Sequence, residues 1–268
     1  SMSSKPKAAF FDFAGCEGDQ LEIVNLEERL LDLVNVVEVV SFREAMSEHS
    51  DDYDIAFVEG SMTTPHDVER LEEVRSNADI VITIGSCSSI GGINSIRNSQ
   101  DFETVKERAY GEDADMFDDP EAELFDSFEK ALPASEFVDV EYEVPGCPID
   151  GDEFIQVVTT LLQGGEPSLP NHPVCVDCKL EENTCAFERD EICLGPITRG
   201  GGCDATCVTQ GTRCWGCRGM VDNPADDAYE EVLQEYGVTV EELVNEYTLY
   251  WGWQREDGPQ ADAQEAQQ

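Results

Sequence analysis

Between Lys7 and Gln163, short apolar runs alternate with longer stretches of helical period, and a cysteine-dense texture begins after Gly165. The alternation predicts an α/β fold, a doubly wound parallel sheet covered by helices on both faces. The later texture predicts a small, coil-rich unit followed by C-terminal helices. A chain of 268 residues with 40% apolar content can bury such a core.

The apolar run at 8–13 predicts a first strand, and a glycine-bearing loop separates it from Leu21, Val24, Leu26, Leu30, Leu31 and Val34, which recur at helical spacing. Further strands are predicted at 36–42, 54–59 and 80–84. Between the last two, residues 65–77 predict a helix with Thr64 as cap and Pro65 in its first position. A fifth strand is predicted at 137–144, then a helix at 150–163. The arrangement is flavodoxin-like. The acidic, Phe-bearing segment 99–133 is predicted to form helical surface insertions without chemistry of its own.

Gly164-Gly165-Glu166-Pro167 and Pro170-Asn171-His172-Pro173 punctuate the chain and mark a boundary. The expected units are a flavodoxin-like domain at 1–165, a cysteine-rich domain at 166–220, a helical segment at 221–253 and a disordered polar tail at 254–268. Few apolar runs lie between Pro173 and Gly219, so metal centres are expected to serve as that region's core. Asn223-Pro224 reads as a helix start, and Thr239-Val240-Glu241-Glu242 as a capping box.

The 59 acidic against 16 basic residues give a formal net charge of −43. Such a surface repels nucleic acid and anionic membranes, and the scatter of the acids predicts a halophilic protein in which salt screens mutual repulsion. No run is long and apolar enough for membrane insertion. Residues 1–7 carry no apolar h-region or paired arginines, so the expected location is cytoplasmic.

Eleven cysteines are an odd number, and a reducing cytoplasm disfavours disulfides, so metal ligation is expected. Eight of them, Cys175, Cys178, Cys185, Cys193, Cys203, Cys207, Cys214 and Cys217, are what two four-coordinate centres require. Cys16, Cys87 and Cys147 each follow a predicted strand. In an open parallel sheet, the loops after the strands share the carboxyl edge, so these three can meet. Three thiolates leave a cubane cluster one ligand short. Asp19, in Cys16-Glu17-Gly18-Asp19, stands where the second cysteine of a C-x-G-C motif would stand. The alternative makes Asp19 a first-turn helix residue beside a three-iron cluster or an open coordination position.

The segments Cys16-Glu17-Gly18-Asp19-Gln20-Leu21, Phe57-Val58-Glu59-Gly60-Ser61, Gly85-Ser86-Cys87, Pro145-Gly146-Cys147-Pro148, Cys193-Leu194-Gly195-Pro196-Ile197-Thr198-Arg199 and Cys214-Trp215-Gly216-Cys217-Arg218-Gly219 resemble the electron-transferring small subunit of nickel–iron hydrogenases. The resemblance is to the cytoplasmic group with sulfhydrogenase delta and coenzyme F420-linked gamma subunits, and it runs to about residue 252. It implies three [4Fe-4S] clusters: a proximal one on Cys16, Asp19, Cys87 and Cys147, a medial one on Cys203, Cys207, Cys214 and Cys217, and a distal one on Cys175, Cys178, Cys185 and Cys193. Most relatives have cysteine at the Asp19 position.

The resemblance further implies a [NiFe] large catalytic subunit as partner, and an acceptor subunit handling flavin, NAD(P), F420 or another acceptor. No group in this chain is expected to activate hydrogen. Glu59 falls near the subunit interface by this resemblance, with a part in proton movement or hydrogen bonding; otherwise it caps a turn. His172 stands where exported relatives use a histidine ligand, which Cys178 makes unnecessary. Arg199 and Arg218 either neutralise cluster charge, pair with the partner, or form surface salt bridges.

Two rival readings are a subunit like the 20 kDa component of respiratory complex I, which needs one cluster, and a zinc-binding interaction module built on the two C-x-x-C pairs. A zinc ribbon expects about 15 to 20 residues between such pairs. Here 35 residues separate Cys178 from Cys214.

Overall fold

The computed structural model describes residues 5–118 and 127–253. Five parallel strands, β1 (Lys7–Asp12), β2 (Glu38–Ser41), β3 (Ile55–Glu59), β4 (Ile80–Ile84) and β5 (Tyr142–Val144), form one sheet in the order β2-β1-β3-β4-β5. This is the flavodoxin-like order, and the strands, all parallel, are added toward one edge up to β2 and toward the other from β3, which puts the switch point between β1 and β3.

Strand alternation divides the core. Phe10, Phe57 and Ile82 face one side and pack with Ile23, Leu33, Phe154 and Val158, while Ala9, Ala56, Val58 and Val81 face the other with Leu71 and Val74. Phe10 stacks between Phe42 at 4.3 Å and Phe57 at 4.7 Å.

The predicted first helix is two, α1 (Gly18–Val24) and α2 (Glu28–Val36). Glu27, at φ +52°, breaks the helical path between them, so the periodic pattern continues through a bend. Val36 therefore ends a helix and β2 is shorter than expected. Helix α3 (Pro65–Asn77) has the expected cap: Thr64 Oγ1 accepts from Asp67 N at 3.1 Å, and Asp67 Oδ2 accepts from Thr64 N at 2.9 Å.

Helix α4 (Gly85–Ile90) follows β4 directly, and in the insertion α5 (Phe102–Tyr110) and a 3-10 segment at Gly111–Asp118 are helical as expected, whereas residues 127–133 form no helix: Leu132 bridges Met62 and Ala131 is fully buried. Of the strand expected at 137–144, only Tyr142–Val144 pairs; Phe137, Val138 and Val140 instead pack against the α3 side of the sheet. Asp150 caps α6 (Gly151–Leu162), its Oδ1 accepting from Glu153 N at 2.8 Å.

Beyond it come the short helices α7 (Val174–Leu180) and α8 (Thr206–Thr209), then α9 (Asp226–Glu235) and α10 (Val240–Trp251). Helix α9 starts two residues beyond Pro224 with no side-chain cap, whereas Thr239 and Glu242 form the expected box at α10. The cysteine-rich stretch also has an apolar core: Val174, Phe187, Leu194 and Ile197 join Tyr229, Leu233 and Trp251 of the last two helices. Apolar residues that are sparse in sequence gather because α9 and α10 complete the cluster. Among the described residues no helix is long and apolar enough to cross a membrane. The tail expected at 254–268 lies outside the described residues.

Candidate iron–sulfur centres

Three loops leave the carboxyl edge of the sheet and carry Cys16 after β1, Cys87 within α4 after β4, and Cys147 after β5. Cys16 and Cys147 are exposed, Cys87 buried. Cys147 and Asp19 lie close enough to Cys87 to act on its ionisation, and Cys16 and Asp19 act likewise on Cys147. The four expected donors are therefore neighbours.

Asp19 is only 6% exposed. Its Oδ1 accepts from Ile149 N at 2.8 Å, and a Cβ placed on Gly85 would stand 1.8 Å from its Oδ2. The carboxyl thus wedges between the Cys87 and Cys147 loops, and Gly85, at φ +85°, is the residue that makes room. Burial first, then the charge of Glu59, pushes the Asp19 carboxyl up to about 7. Glu59 ends β3 and is 2% exposed. Its two oxygens accept from Asp19 N at 3.2 Å and Gln20 N at 3.0 Å, holding the first turn of α1. Glu59 is thus a buried brace for that turn.

Ser86 ties the cysteine loops together. Its N and Oγ both donate to Gly146 O, at 2.7 and 2.8 Å, and Oγ also reaches Cys217 O. Gly92, at φ +56°, closes over Cys87; a Cβ there would lie 2.7 Å from Cys87 N and Cα.

In the second region, α7 presents Cys175 and Cys178 one turn apart. Cys193, Cys178 and Cys185 all act on the Cys175 thiol, which burial pushes up to about 12. Cys193 Sγ accepts from Gly195 N at 3.4 Å and from Cys214 N at 3.3 Å. A cavity of about 320 Å³ is lined by Cys203, Cys207, Cys214 and Cys217, and also by Cys147 of the first group. Burial, then Cys147, Cys203 and Cys207, pushes Cys217 up to about 12. This group borders Cys147 on one side and, through Cys214, Cys193 on the other.

Buried thiols crowded by further thiols, as at Cys175, Cys193, Cys214 and Cys217, are held as thiolates by a cationic centre. Cysteine groups of this kind suit iron–sulfur centres. Among the described residues no three His, Cys, Asp or Glu side chains converge on a single-ion site.

His172 is engaged elsewhere: Nε2 lies 2.8 Å from Asp177 Oδ1, and Asp177 Oδ2 accepts from Gly201 N at 2.8 Å. Arg199 pairs with Asp222 at 3.2 Å. Arg218 is not on the surface. It is 2% exposed and forms a two-pronged pair with Glu153 of α6, at 3.0 and 2.7 Å.

Nothing in the sequence sets Glu153, one acid among 59, apart as the partner of Arg218. Tyr250 and Trp251 also reach the cysteine loops. Trp251 Nε1 donates to Gly216 O at 2.7 Å, between Cys214 and Cys217, and Tyr250 lies beside Cys147. The crowding of Tyr247, Tyr250, Trp251 and Trp253 at the end of α10 was the available signal.

The chain is similar to subunits of known hydrogenases. Sulfhydrogenase 2 subunit delta of Pyrococcus furiosus is 34% identical over 92% of this chain and 100% of its own length. The NAD-reducing hydrogenase HoxS subunit delta of Cupriavidus necator is 32% identical over 64% of this chain and 85% of its own. The crystal structure of an NAD+-reducing [NiFe]-hydrogenase contains a chain similar at TM-score 0.54 and 30% identity, over 62% of this chain and 96% of that one. Fold, donor groups and relatives together define an oxidoreductase subunit of the hydrogenase small-subunit kind. The chain belongs to the NADH ubiquinone oxidoreductase 20 kDa subunit family, whose pattern matches residues 16–161.

Proposed function

We propose that this chain is the electron-relay subunit of a cytoplasmic [NiFe] hydrogenase, working beside a large catalytic subunit and passing electrons to, or receiving them from, an acceptor subunit. The observation that carries the reading is the file of three donor groups: Cys147 of the first borders the cavity of the second, and Cys214 of the second donates its N–H to Cys193 of the third. The family pattern covers only the sheet domain, where a complex I-type subunit would end its resemblance. The sulfhydrogenase relative continues through the cysteine-rich region, which favours three centres over one.

Bound [4Fe-4S] clusters would supply successive one-electron sites. Cys16, Asp19, Cys87 and Cys147 would hold the proximal one, Cys203, Cys207, Cys214 and Cys217 the medial, and Cys175, Cys178, Cys185 and Cys193 the distal. The chain's own work is to fix these donors and exclude water. Glu59 and Ile149 N orient Asp19, Ser86 locks the proximal loops to Cys217, and Trp251 covers the medial loop. Residues 1–165, 166–220 and 221–253 correspond to sheet domain, cluster domain and helical cover. The carboxylate-rich surface, at net −43, suits a halophilic setting in which salt screens repulsion.

Anaerobic purification with the partner chains, followed by iron, sulfide and zinc analysis, tests the reading. About twelve irons per chain are expected from three four-iron clusters. About four irons would favour a complex I-type subunit, and zinc with little iron would exclude both.

A further inference from the structure

Arg218 and Glu153 form a deeply buried ion pair. Their side chains are 1% and 4% exposed, and the guanidinium also donates to Pro145 O at 2.9 Å and lies within 3.4 Å of the Arg199 and Gly200 carbonyls. The two members are not placed alike. Arg218 lines the cavity shared by Cys203, Cys207, Cys214 and Cys217, whereas Glu153 is absent from that lining and sits behind, against the backbone of Gly202. A Cβ at Gly202 would meet Glu153 Oε2 at 2.9 Å, so the carboxylate has little freedom to leave. The result is an oriented charge pair with its positive end on the side of the four cysteines.

We propose that the Arg218–Glu153 pair sets the reduction potential of the centre held by Cys203, Cys207, Cys214 and Cys217. Arg218 raises that potential and Glu153 moderates it. The inference rests on the proposed function, which puts a cluster at these cysteines. Adding an electron makes a cluster more negative, and a fixed cation at low dielectric stabilises the reduced form. A buried pair adds little stability over apolar packing of similar volume, so its orientation toward a redox centre gives it a purpose that packing alone does not.

The test is a redox titration of the intact, anaerobically purified complex, monitored by paramagnetic resonance, with iron counted on each sample. Glu153→Gln keeps a hydrogen-bond acceptor but removes the moderating charge. At a fixed solution potential it should raise the reduced-to-oxidised ratio of one of three titrating components about tenfold, or about 59 mV for a one-electron couple. The double variant Glu153→Gln/Arg218→Gln should shift the same component the other way. Arg218→Lys, which keeps the charge, should leave it within about twofold of the parent (about 18 mV at the same scale).

Shifts of equal sign, or none, with full iron content would overturn this inference alone. A parent complex lacking iron at these cysteines would overturn both it and the proposed function. Should the double variant fail to fold, the rise in Glu153→Gln against the constancy of Arg218→Lys still decides.

Discussion

Replacing Trp251 by Ala should release the loop between Cys214 and Cys217. Trp251 is 2% exposed, its ring lies 5.0 Å from Tyr247, and its Nε1 donates to Gly216 O at 2.7 Å. The ring sits directly on Gly216, at φ +85°, where a Cβ would come within 2.9 Å of it. Truncation to Ala therefore combines a cavity worth about 3 to 5 kcal/mol with a buried carbonyl left unpaired, worth about 1 to 3 kcal/mol. Trp251→Phe keeps most of the apolar area and loses mainly the hydrogen bond, so it should cost about 1 to 3 kcal/mol.

At roughly 2 to 4 °C per kcal/mol for a chain of this class, the Phe variant should melt about 2 to 12 °C lower and the Ala variant further still. The assays are anaerobic thermal unfolding and iron content per chain. Because the ring holds one cysteine loop, the Ala variant should lose about four irons rather than all. An Ala variant with unchanged midpoint and full iron would refute the idea that α10 clamps this centre.

Asp19→Cys should keep its iron while changing the paramagnetic spectrum of one cluster, and an unchanged spectrum would remove Asp19 from the coordination sphere. Gly92→Ala forces a Cβ to within 2.7 Å of Cys87 backbone at φ +56°; it should cost more than the roughly 1 to 2 kcal/mol of the left-handed conformation and lower iron by about four per chain, and a parent-like iron count would contradict the close approach. Glu143→Gln should stabilise the protein at alkaline but not acidic pH. Burial raises the Glu143 carboxyl in the folded state, against the pull of Arg199, so the parent's disadvantage is absent where both states are protonated and grows as pH rises through the folded value. A difference in thermal midpoint between the two proteins that stays constant from about pH 3, below the unfolded carboxyl range, up to about pH 8 would contradict this assignment.

Much was legible in order along the chain. The strand at Ile80–Ile84 and the helix at Pro65–Asn77 have local signals that agree with their final environment: a β-branched run, and a Thr-Pro-x-Asp start. Where burial by distant residues overrode the local pattern, the expectation failed. Residues 137–140 look like strand, but their apolar side chains find the α3 side of the sheet without pairing. Periodicity across 21–34 is continuous, yet Glu27 turns the chain between two helices.

Eleven of the twelve candidate donors stand out in the sequence because cysteine is chemically distinctive, and Asp19 is singled out only by its place after Cys16; a parallel sheet brings the loops after its strands to one edge. The fold alone decided what surrounds them. Glu153 and Arg218 are 65 residues apart, and Trp251 reaches Gly216 across 35. Neither pairing has a local signal: one acid among 59 is anonymous until desolvation selects the one that must meet a buried cation. Residue type and spacing determined which atoms can bind metal, while tertiary packing determined the charge and dryness around each donor, because both depend on what is brought near from elsewhere in the chain.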